Sequence, residues 1–229
     1  MRFRRERPEL TWARIVALHE QAGEASRACA DILKTMQVDA ADAELKSFLF
    51  TSAIESEGKT TMALNFAAML ATRGKRVLLA DVHWQRPTLG RMLGVSDRSG
   101  LTDLLETGGR HEDLLVQDTR LPQLFVLPRG TRSMELLQGK AADRMRALVE
   151  GARKTFDFVL LDGASTASGP DVLILDRMVD GVLLVIACDQ TQQTQLAAAR
   201  RTLAQHPGTR VGVLLNRVPR YLPDYYRTV

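Results

Sequence analysis

The sequence predicts an α/β fold in which a mostly parallel sheet is covered by helices on both faces. Short, almost continuously apolar runs alternate along the chain with longer stretches of helical periodicity. Strands that are apolar at nearly every position are buried on both faces, which is typical of parallel sheets with crossover helices. The predicted strands are 47–52, 76–81, 123–128, 157–163, 181–188 and 210–218, and the predicted helices are 60–73, 143–155, 170–179 and 192–205.

Two terminal segments differ from this alternating region. Residues 9–37 have a helical periodicity that is interrupted near Gly23, which predicts an N-terminal helical arm behind a basic stub. The tail contains Pro219 and Pro223 and is expected to be extended. We therefore expect a stub and arm at 1–39, an α/β domain at 40–218, and a tail at 219–229 that holds all three tyrosines of the chain, Tyr221, Tyr225 and Tyr226.

The composition excludes several classes of protein. A net charge of +4 is modest and is spread over 229 residues, so it does not favour nucleic acid as a partner. The longest apolar run, 181–188, is far too short to span a bilayer, which predicts a soluble, cytoplasmic chain. Cys29 and Cys188 have no partner spacing and are expected to be reduced thiols.

The segment TSAIESEGKTT, at 51–61, joins the first apolar run to the first helical stretch. Gly58, Lys59 and Thr60 stand where a phosphate-binding loop, or P-loop, lies between a strand and a helix. Backbone N–H groups and the positive helix end would hold phosphates, Lys59 would reach the terminal phosphates, and Thr60 would offer a hydroxyl to Mg²⁺. Ala53 replaces the first glycine of the usual pattern. The context nevertheless predicts a P-loop NTPase fold.

Two later apolar runs each end in a carboxylate. Asp81 closes RVLLAD, and Asp162 follows FVLL in the run at 157–163. Ligands of open parallel sheets bind at the carboxyl ends of the strands. Mg²⁺ prefers hard oxygen ligands, so carboxylates beside a P-loop suit this ion. Together with Lys59 and Thr60, the two carboxylates predict a site for phosphoryl transfer.

The collinear motifs resemble the bacterial tyrosine kinases of capsule and exopolysaccharide export, known as BY-kinases, from about residue 20 onward. LFTSAIESEGKTT is similar to the family's Walker A segment, VLLADVHWQRPTLGRMLG to its second acidic motif, and FDFVLLDGAS to its Walker B strand. GVLLNRV resembles the strand whose asparagine would meet the adenine. The resemblance assigns nucleotide binding to Ala53, Glu57, Gly58, Lys59, Thr60, Thr61 and Asn216.

The resemblance also implies a chemistry. Family members bind ATP and Mg²⁺ and transfer the γ-phosphate to tyrosines of their own tails, generally on a neighbouring subunit. Tyr221, Tyr225 and Tyr226 would then be the phosphate acceptors. Lys59, Asp81 and Asp162 would carry the transfer, and the metal would be held by Thr60, Asp81 and Asp162.

The resemblance further implies partners. The family's N-terminal helix often carries E-x2-R-x2-R, whose charges pair between subunits in a ring, so Glu24 and Arg27 are expected to make oligomer contacts in a homo-oligomer, with Ala30 at the third position. The kinase domain often works with a membrane-spanning chain-length protein, fused or separate. We therefore expect a separate membrane-spanning polysaccharide export partner, which would place the chain at the inner membrane.

Several residues depart from the family's pattern. His83 stands where a second aspartate is usual, and Gln85 where an arginine is usual. Glu55-Ser56 replaces Pro-Gly in the loop, and Ala164-Ser165 replaces Pro-Pro after Asp162. A carboxylate at Glu55 would repel nucleotide phosphates if it pointed inward. Loss of one positioned base costs about 10²–10⁴ in rate unless His83 takes over that role, so His83 joins the candidate catalytic residues.

Three functions therefore stand beside one another. The first is an ATP-dependent tyrosine autokinase that regulates polysaccharide polymerisation or export. The second is a nonenzymatic scaffold, or pseudokinase, of the same pathway, which His83, Gln85 and Glu55 favour. The third is a partition-type switch ATPase. Those ATPases usually carry a signature lysine right after the first glycine position of the loop, where this chain has Ile54.

Overall fold

The computed structural model describes residues 31, 34, 45–117, 121–134, 137–188, 190–206 and 208–218. Asp31 and Lys34 are helical, which leaves nearly all of the predicted arm and the whole predicted tail outside the described residues. The expectations for Glu24, Arg27, Tyr221, Tyr225 and Tyr226 likewise lie outside them and stay predictions.

A sheet of seven strands forms the centre of the described part of the chain, in the order β3-β4-β2-β5-β1-β6-β7. All neighbouring pairs are parallel except β3 and β4. The prediction of a mostly parallel sheet is confirmed, and only the short β3 was not foreseen. The strands are β1 Ser47–Ser52, β2 Val77–Asp81, β3 Val116–Gln117, β4 Leu124–Leu127, β5 Phe158–Asp162, β6 Gly181–Ala187 and β7 Arg210–Asn216.

The long helices follow the predicted periodicity, with shifts at their ends. Gln138 precedes the fourth α-helix, which begins four residues before the predicted start at 143. The stretch predicted at 170–179 is a short α-helix followed by a 3₁₀ turn, Asp176–Met178. A second 3₁₀ turn, His111–Leu114, was not predicted. The α-helices are α1 Lys59–Thr72, α2 Leu89–Met92, α3 Leu101–Thr107, α4 Gly139–Thr155, α5 Asp171–Leu175 and α6 Gln193–Leu203.

Helices cover both faces of the sheet, so the strands have two buried sides. Phe50 of β1 packs edge-on against Phe66 of α1, with ring centroids 5.5 Å apart. Leu49, the preceding residue of β1, belongs instead to the opposite core, together with residues of α4 and α6. Successive residues of a strand point to opposite faces, which explains why β1 is apolar at consecutive positions.

The edge strand β7 carries an apolar stripe that is half exposed. Val211, Val213 and Leu215 are 43%, 50% and 49% exposed, whereas Leu214 is buried against the α1 side. Their register partners on β6 are Val182, Leu184 and Ile186, which are buried. The stripe is thus the lateral continuation of a covered face. In the part of the chain that the structure describes, no helix is long and apolar enough to cross a membrane.

Candidate nucleotide and metal site

The loop between β1 and α1 turns through two residues in the left-handed region. Ser56 has φ 67° and Gly58 has φ 94°, and the carbonyl of Gly58 accepts a helical hydrogen bond from the N–H of Met62 at 2.9 Å. Glycine is required at 58 for a second reason. A Cβ there would lie 2.2 Å from Nδ2 of Asn216. Position 58 therefore needs glycine for two reasons, the positive φ angle of the backbone and the close approach of the Asn216 side chain.

Glu57 and Asn216 tie this loop to the strands β6 and β7. The Glu57 side chain, 1% exposed, accepts hydrogen bonds from the N–H of Ile54 at 2.8 Å, the N–H of Ala187 at 3.2 Å and the hydroxyl of Thr191. The Asn216 amide donates to the Glu57 carbonyl at 2.8 Å. These contacts make the two residues supports of the loop shape, and a contact of either with a nucleotide stays a prediction.

The first residues of α1 line the floor of the site. Lys59 and Thr60 are 5% and 9% exposed, Thr61 is half-buried, and the first turn of α1 contains no acidic side chain. Ala53 is buried, and its carbonyl accepts a hydrogen bond from Thr166 at 3.3 Å. The first N–H groups of a helix have no partner within the helix, so this start is suited to an anion.

Asp81 and Asp162 form a buried pair of carboxylates. They are the last residues of β2 and β5, they lie opposite each other in the parallel register, and they are 0% and 1% exposed. No described residue donates a well-formed hydrogen bond to Oδ2 of Asp81 or to either carboxylate oxygen of Asp162. The Thr60 hydroxyl is near enough to favour the charged form of Asp162, but burial outweighs its effect on the pKa. Burial raises the pKa of both groups, and the charge of Asp81 raises that of Asp162 further.

Unpartnered, buried carboxylate oxygens are the donor set that a divalent cation satisfies. The pair stands beside the loop because β5 is the sheet neighbour of β1, and the charge of Lys59 acts on the pKa of Asp162. The residues present thus fit Mg²⁺, with Thr60 as the hydroxyl that the sequence motif offers to it.

The carboxylate of Glu55 points into the site. Its Oε2 lies 3.2 Å from Nζ of Lys59, and its Oε1 accepts hydrogen bonds from the N–H of Ser165 at 3.2 Å and the hydroxyl of Ser168. Partial burial opposes its ionisation, but Ser168 and the Lys59 ammonium lower the pKa of Glu55 to about 2. Repulsion of nucleotide phosphates by Glu55 was expected only if its side chain pointed inward, and it does point inward.

His83 lies between Glu55 and the carboxylate pair. Its backbone N–H donates to Oδ1 of Asp81 at 3.2 Å, and its ring Nε2 is 3.9 Å from Oε1 of Glu55. His83 is only 4% exposed, and this burial lowers the pKa of its imidazole. A neutral imidazole is able to accept a proton, so the position does not exclude His83 from a role as base.

A cavity of about 510 Å³, which no sequence pattern predicted, opens beside Asp81. Three arginines line it: Arg86 and Arg91 from the segment after β2, and Arg129 from the segment after β4. Arg129 also donates to the carbonyl of Trp84 at 3.2 Å, which holds the guanidinium at the wall. The signal available in the sequence was the position of these arginines after the predicted strands, at the edge where ligands bind.

Comparisons with known proteins agree with this geometry. Residues 48–222 match the family described as the CobQ/CobB/MinD/ParA nucleotide binding domain, which covers most of the chain. The tyrosine-protein kinase YwqD of Bacillus subtilis is 30% identical over 219 residues, covering 94% of this chain and 91% of YwqD. The chain belongs to the BY-kinase family. The expected family and the expected P-loop fold are both confirmed.

Two further comparisons extend this result. The succinoglycan biosynthesis transport protein ExoP of Rhizobium meliloti is 32% identical over 180 residues, which cover 77% of this chain but 23% of ExoP. The solved structure of the BceF tyrosine kinase domain superposes with a TM-score of 0.73 at 26% identity, covering 90% of this chain and 82% of that one. This BY-kinase therefore matches nearly the whole of YwqD but only one part of the longer ExoP chain.

Proposed function

We propose that the chain is an ATP- and Mg²⁺-dependent tyrosine autokinase that phosphorylates its own tail at Tyr221, Tyr225 and Tyr226. The observation that carries the proposal is the buried carboxylate pair beside a P-loop, Asp81 and Asp162, in which three of the four oxygens lack a well-formed hydrogen-bond partner among the described residues. Such a pair is costly for an empty fold and is explained by a cation that accompanies a phosphate ligand. The membership in a family of protein-tyrosine kinases supports tyrosine as the acceptor.

The roles of the residues follow from their positions. The loop N–H groups and the start of α1 hold the phosphates, and Lys59 neutralises the terminal ones. Thr60, Asp81 and Asp162 would hold Mg²⁺, which supplies neutralisation of phosphate charge when bound. Ala53, Glu57, Gly58, Thr61 and Asn216 complete the proposed nucleotide-binding set, with Glu57 and Asn216 acting through the shape of the loop.

In the transfer itself, the phenol oxygen of a tail tyrosine bonds to the γ-phosphorus of ATP while the bond to the bridging oxygen of ADP breaks. The phenol proton passes to a base, for which His83 is the candidate in this chain. The cavity beside Asp81 has the volume to admit a phenol ring next to the carboxylates. Its arginines also favour acidic tail residues.

The test is intact-mass analysis of the purified full chain incubated with Mg²⁺ and ATP. We expect additions of about 80 Da per phosphate, mapping to Tyr221, Tyr225 or Tyr226. Two matched variants accompany it: Lys59→Met should show no additions, and a variant with all three tyrosines changed to Phe should bind ATP without being modified. Additions that persist in Lys59→Met would contradict the assignment of the site.

A second candidate function is a nucleotide-binding scaffold without transfer activity. It is favoured by one specific observation, the ion pair of Glu55 with Lys59, which engages the lysine that a phosphate needs. Binding of ATP without any additions of mass would select this function over the autokinase. Mixing the full chain with a fresh acceptor protein from the same pathway would then test for transfer to another molecule.

We further propose a role in exopolysaccharide or capsule polymerisation and export, as a cytoplasmic homo-oligomer held at the inner membrane by a separate membrane-spanning protein. ExoP supports this proposal, because the matching region is part of a longer transport protein there. Pull-down from membrane extracts should recover an integral membrane protein, and recovery of none would refute the partner. Sedimentation of wild type and Glu24→Ala/Arg27→Ala tests the oligomer contacts.

A further inference from the structure

Three positions at which this chain departs from the usual pattern of its motifs meet at one carboxylate. Glu55, His83 and Ser165 are far apart along the chain, yet Oε1 of Glu55 lies 3.2 Å from the N–H of Ser165 and 3.9 Å from Nε2 of His83. A proline at 165 would lack the N–H that Glu55 uses. An aspartate at 83 would bring a second negative charge toward Glu55. The replacements are therefore compatible with one another as a set.

The Glu55 carboxylate is anchored on the far side of the site rather than in the loop. Its hydrogen bonds come from Ser165 and Ser168, which follow β5, and its ion pair is with the side chain of Lys59. The Glu55 carboxylate therefore does not occupy the loop N–H groups where the inner phosphates of a nucleotide bind; of these, the N–H of Ile54 donates to Glu57. The position over Lys59, where a terminal phosphate belongs, holds a carboxylate instead.

We propose that Glu55 determines which phosphate length this site accepts. Its carboxylate competes with the terminal phosphate of a nucleoside triphosphate for Lys59, whereas a nucleoside diphosphate binds with Glu55 in place. The inference rests on the proposed nucleotide site and names its specificity-determining residue. A γ-phosphate drawn to the ammonium group of Lys59 would lie beside the Glu55 carboxylate that already pairs with it. The two negative charges would repel strongly, because Lys59 is only 5% exposed and solvent screens little there.

The contacts of the Glu55 carboxylate hold it in one position. The side chain of Glu55 is 31% exposed, but it is held at both oxygens, by Lys59 on one and by Ser165 and Ser168 on the other. A triphosphate has to break these contacts before its last phosphate reaches Lys59. A diphosphate lacks the γ-phosphate that would take the position of the Glu55 carboxylate. Its β-phosphate approaches Lys59 from the side of the loop, so the contacts of Glu55 survive its binding.

The experiment is titration calorimetry of the full chain with Mg·ADP and with Mg·AMP-PNP, a triphosphate analogue that resists cleavage. We expect the wild type to bind the diphosphate at least about tenfold more tightly than the analogue. Glu55→Gln keeps the shape of the side chain, with one carboxylate oxygen replaced by an NH₂ group, but removes the charge. It should reduce that ratio to about threefold or less, chiefly by tightening the analogue.

Two further variants keep the result interpretable. Glu150→Gln, on the exposed side of α4, removes an equal charge away from the anchored carboxylate and should leave the ratio unchanged. Ser168→Ala keeps the charge of Glu55 but removes one anchor, so it should lower the ratio by about two- to fivefold. This second route to the same change does not depend on the stability of the Glu55 variant.

The outcomes separate this inference from the proposed function. Equal affinities in the wild type, or a ratio that survives Glu55→Gln, would overturn the specificity role while leaving nucleotide binding intact. A ratio that behaves as expected in a chain that never modifies its tyrosines would support the inference and refute the autokinase. If neither nucleotide binds to the wild type or to Glu55→Gln, both the site and this inference fail.

Discussion

Asp81 and Asp162 face each other across the last rung between β2 and β5, both fully buried and both with unpartnered oxygens. Two like charges at neighbouring positions in a protein interior oppose folding unless something neutralises them. Burial accordingly raises both pKa values, and the charge of Asp81 raises that of Asp162 further. The fold thus retains a local instability at the place where a cation and phosphates would bind.

Replacing Asp162 by Asn should therefore stabilise the protein in the absence of ligands. The change removes one buried charge and leaves Asp81 without a like-charged neighbour, so we expect the free energy of unfolding to rise by about 1–3 kcal/mol. Urea unfolding without metal measures it. The same variant should lose most of its Mg²⁺-dependent affinity for nucleotide, because one of the proposed metal ligands is gone.

Asp176 provides the matched control for that experiment. It is equally buried, at 1% exposed, but it pairs with Nδ1 of His206 at 2.6 Å. Asp176→Asn should destabilise the protein, since it breaks a buried pair instead of relieving a repulsion. If Asp162→Asn destabilised the protein as much as Asp176→Asn does, the carboxylate pair would not carry the strain inferred for it.

The same pair predicts how the stability of the metal-free protein depends on pH. A carboxyl whose folded pKa lies above its unfolded value binds more protons in the folded state, so its contribution is present at low pH. That contribution is lost as the pH rises from the ordinary Asp value near 4 through the raised pKa values of the pair. Unfolding at about pH 5.5 and about pH 8 should show the metal-free protein to be less stable at the higher pH.

Asp162→Asn should flatten this pH dependence, and saturating Mg²⁺ with nucleotide should flatten it as well, because each removes the proton uptake. A slope that is the same in wild type and variant would assign the pH dependence to other groups. Glu55 acts in the opposite sense: its pKa is lowered to about 2, so its contribution is present above the unfolded Glu value and disappears only as the pH falls toward 2.

Gly58→Ala should cost more stability than the same change at Gly74. Both glycines have positive φ, 94° and 80°, so each substitution brings the strain of a left-handed alanine, about 1 kcal/mol. At Gly74 nothing lies within 4 Å of the added Cβ, whereas at Gly58 it meets Nδ2 of Asn216 at 2.2 Å. We expect an additional loss of about 2 kcal/mol at Gly58, measured by chemical denaturation.

A double variant isolates the clash. Asn216→Ala alone removes a hydrogen bond to the Glu57 carbonyl and should destabilise the loop modestly. In Gly58→Ala/Asn216→Ala the two costs should be less than additive, because the second change removes the atom that the first one meets. Strict additivity would show that the loop relaxes away from Asn216 without strain.

Glu57→Gln should destabilise the fold even though the residue lies in a loop. A glutamine amide would present a donor where two N–H groups and a hydroxyl now point at the carboxylate, which costs about 2 kcal/mol. Glu150→Gln on the exposed surface of α4 should change stability by less than about 0.5 kcal/mol. Equal effects of the two variants would remove Glu57 from its supporting role.

The sheet was predictable because its strands are buried on both faces and so are apolar at consecutive positions. The same pattern located Asp81 and Asp162, since each ends such a run and neighbouring parallel strands finish at one edge. The two-residue strand β3 carries too few residues to show a pattern. The short helices α2 and α3 complete too few turns for a helical period to be seen.

Side-chain directions within the site were not predictable. The inward turn of Glu55 depends on Ser165 and Ser168, more than a hundred residues later in the chain. The engagement of Asn216 with the loop depends on a backbone carbonyl that no sequence pattern marks. The arginine-lined cavity arises from the segments that follow β2 and β4, which lie together because these strands are neighbours in the sheet.

The position of β1 in the sheet has a consequence for the order of events during synthesis. Both sheet neighbours of β1, which are β5 and β6, leave the ribosome more than a hundred residues after it. The hydrogen-bond partners of Glu57 at Ala187, Thr191 and Asn216 are synthesised later still. Contacts between such distant segments form late in folding. The residues of the phosphate loop are therefore synthesised long before the strands that fix the loop's conformation. We expect a nascent chain that lacks β5 to β7 not to bind nucleotide.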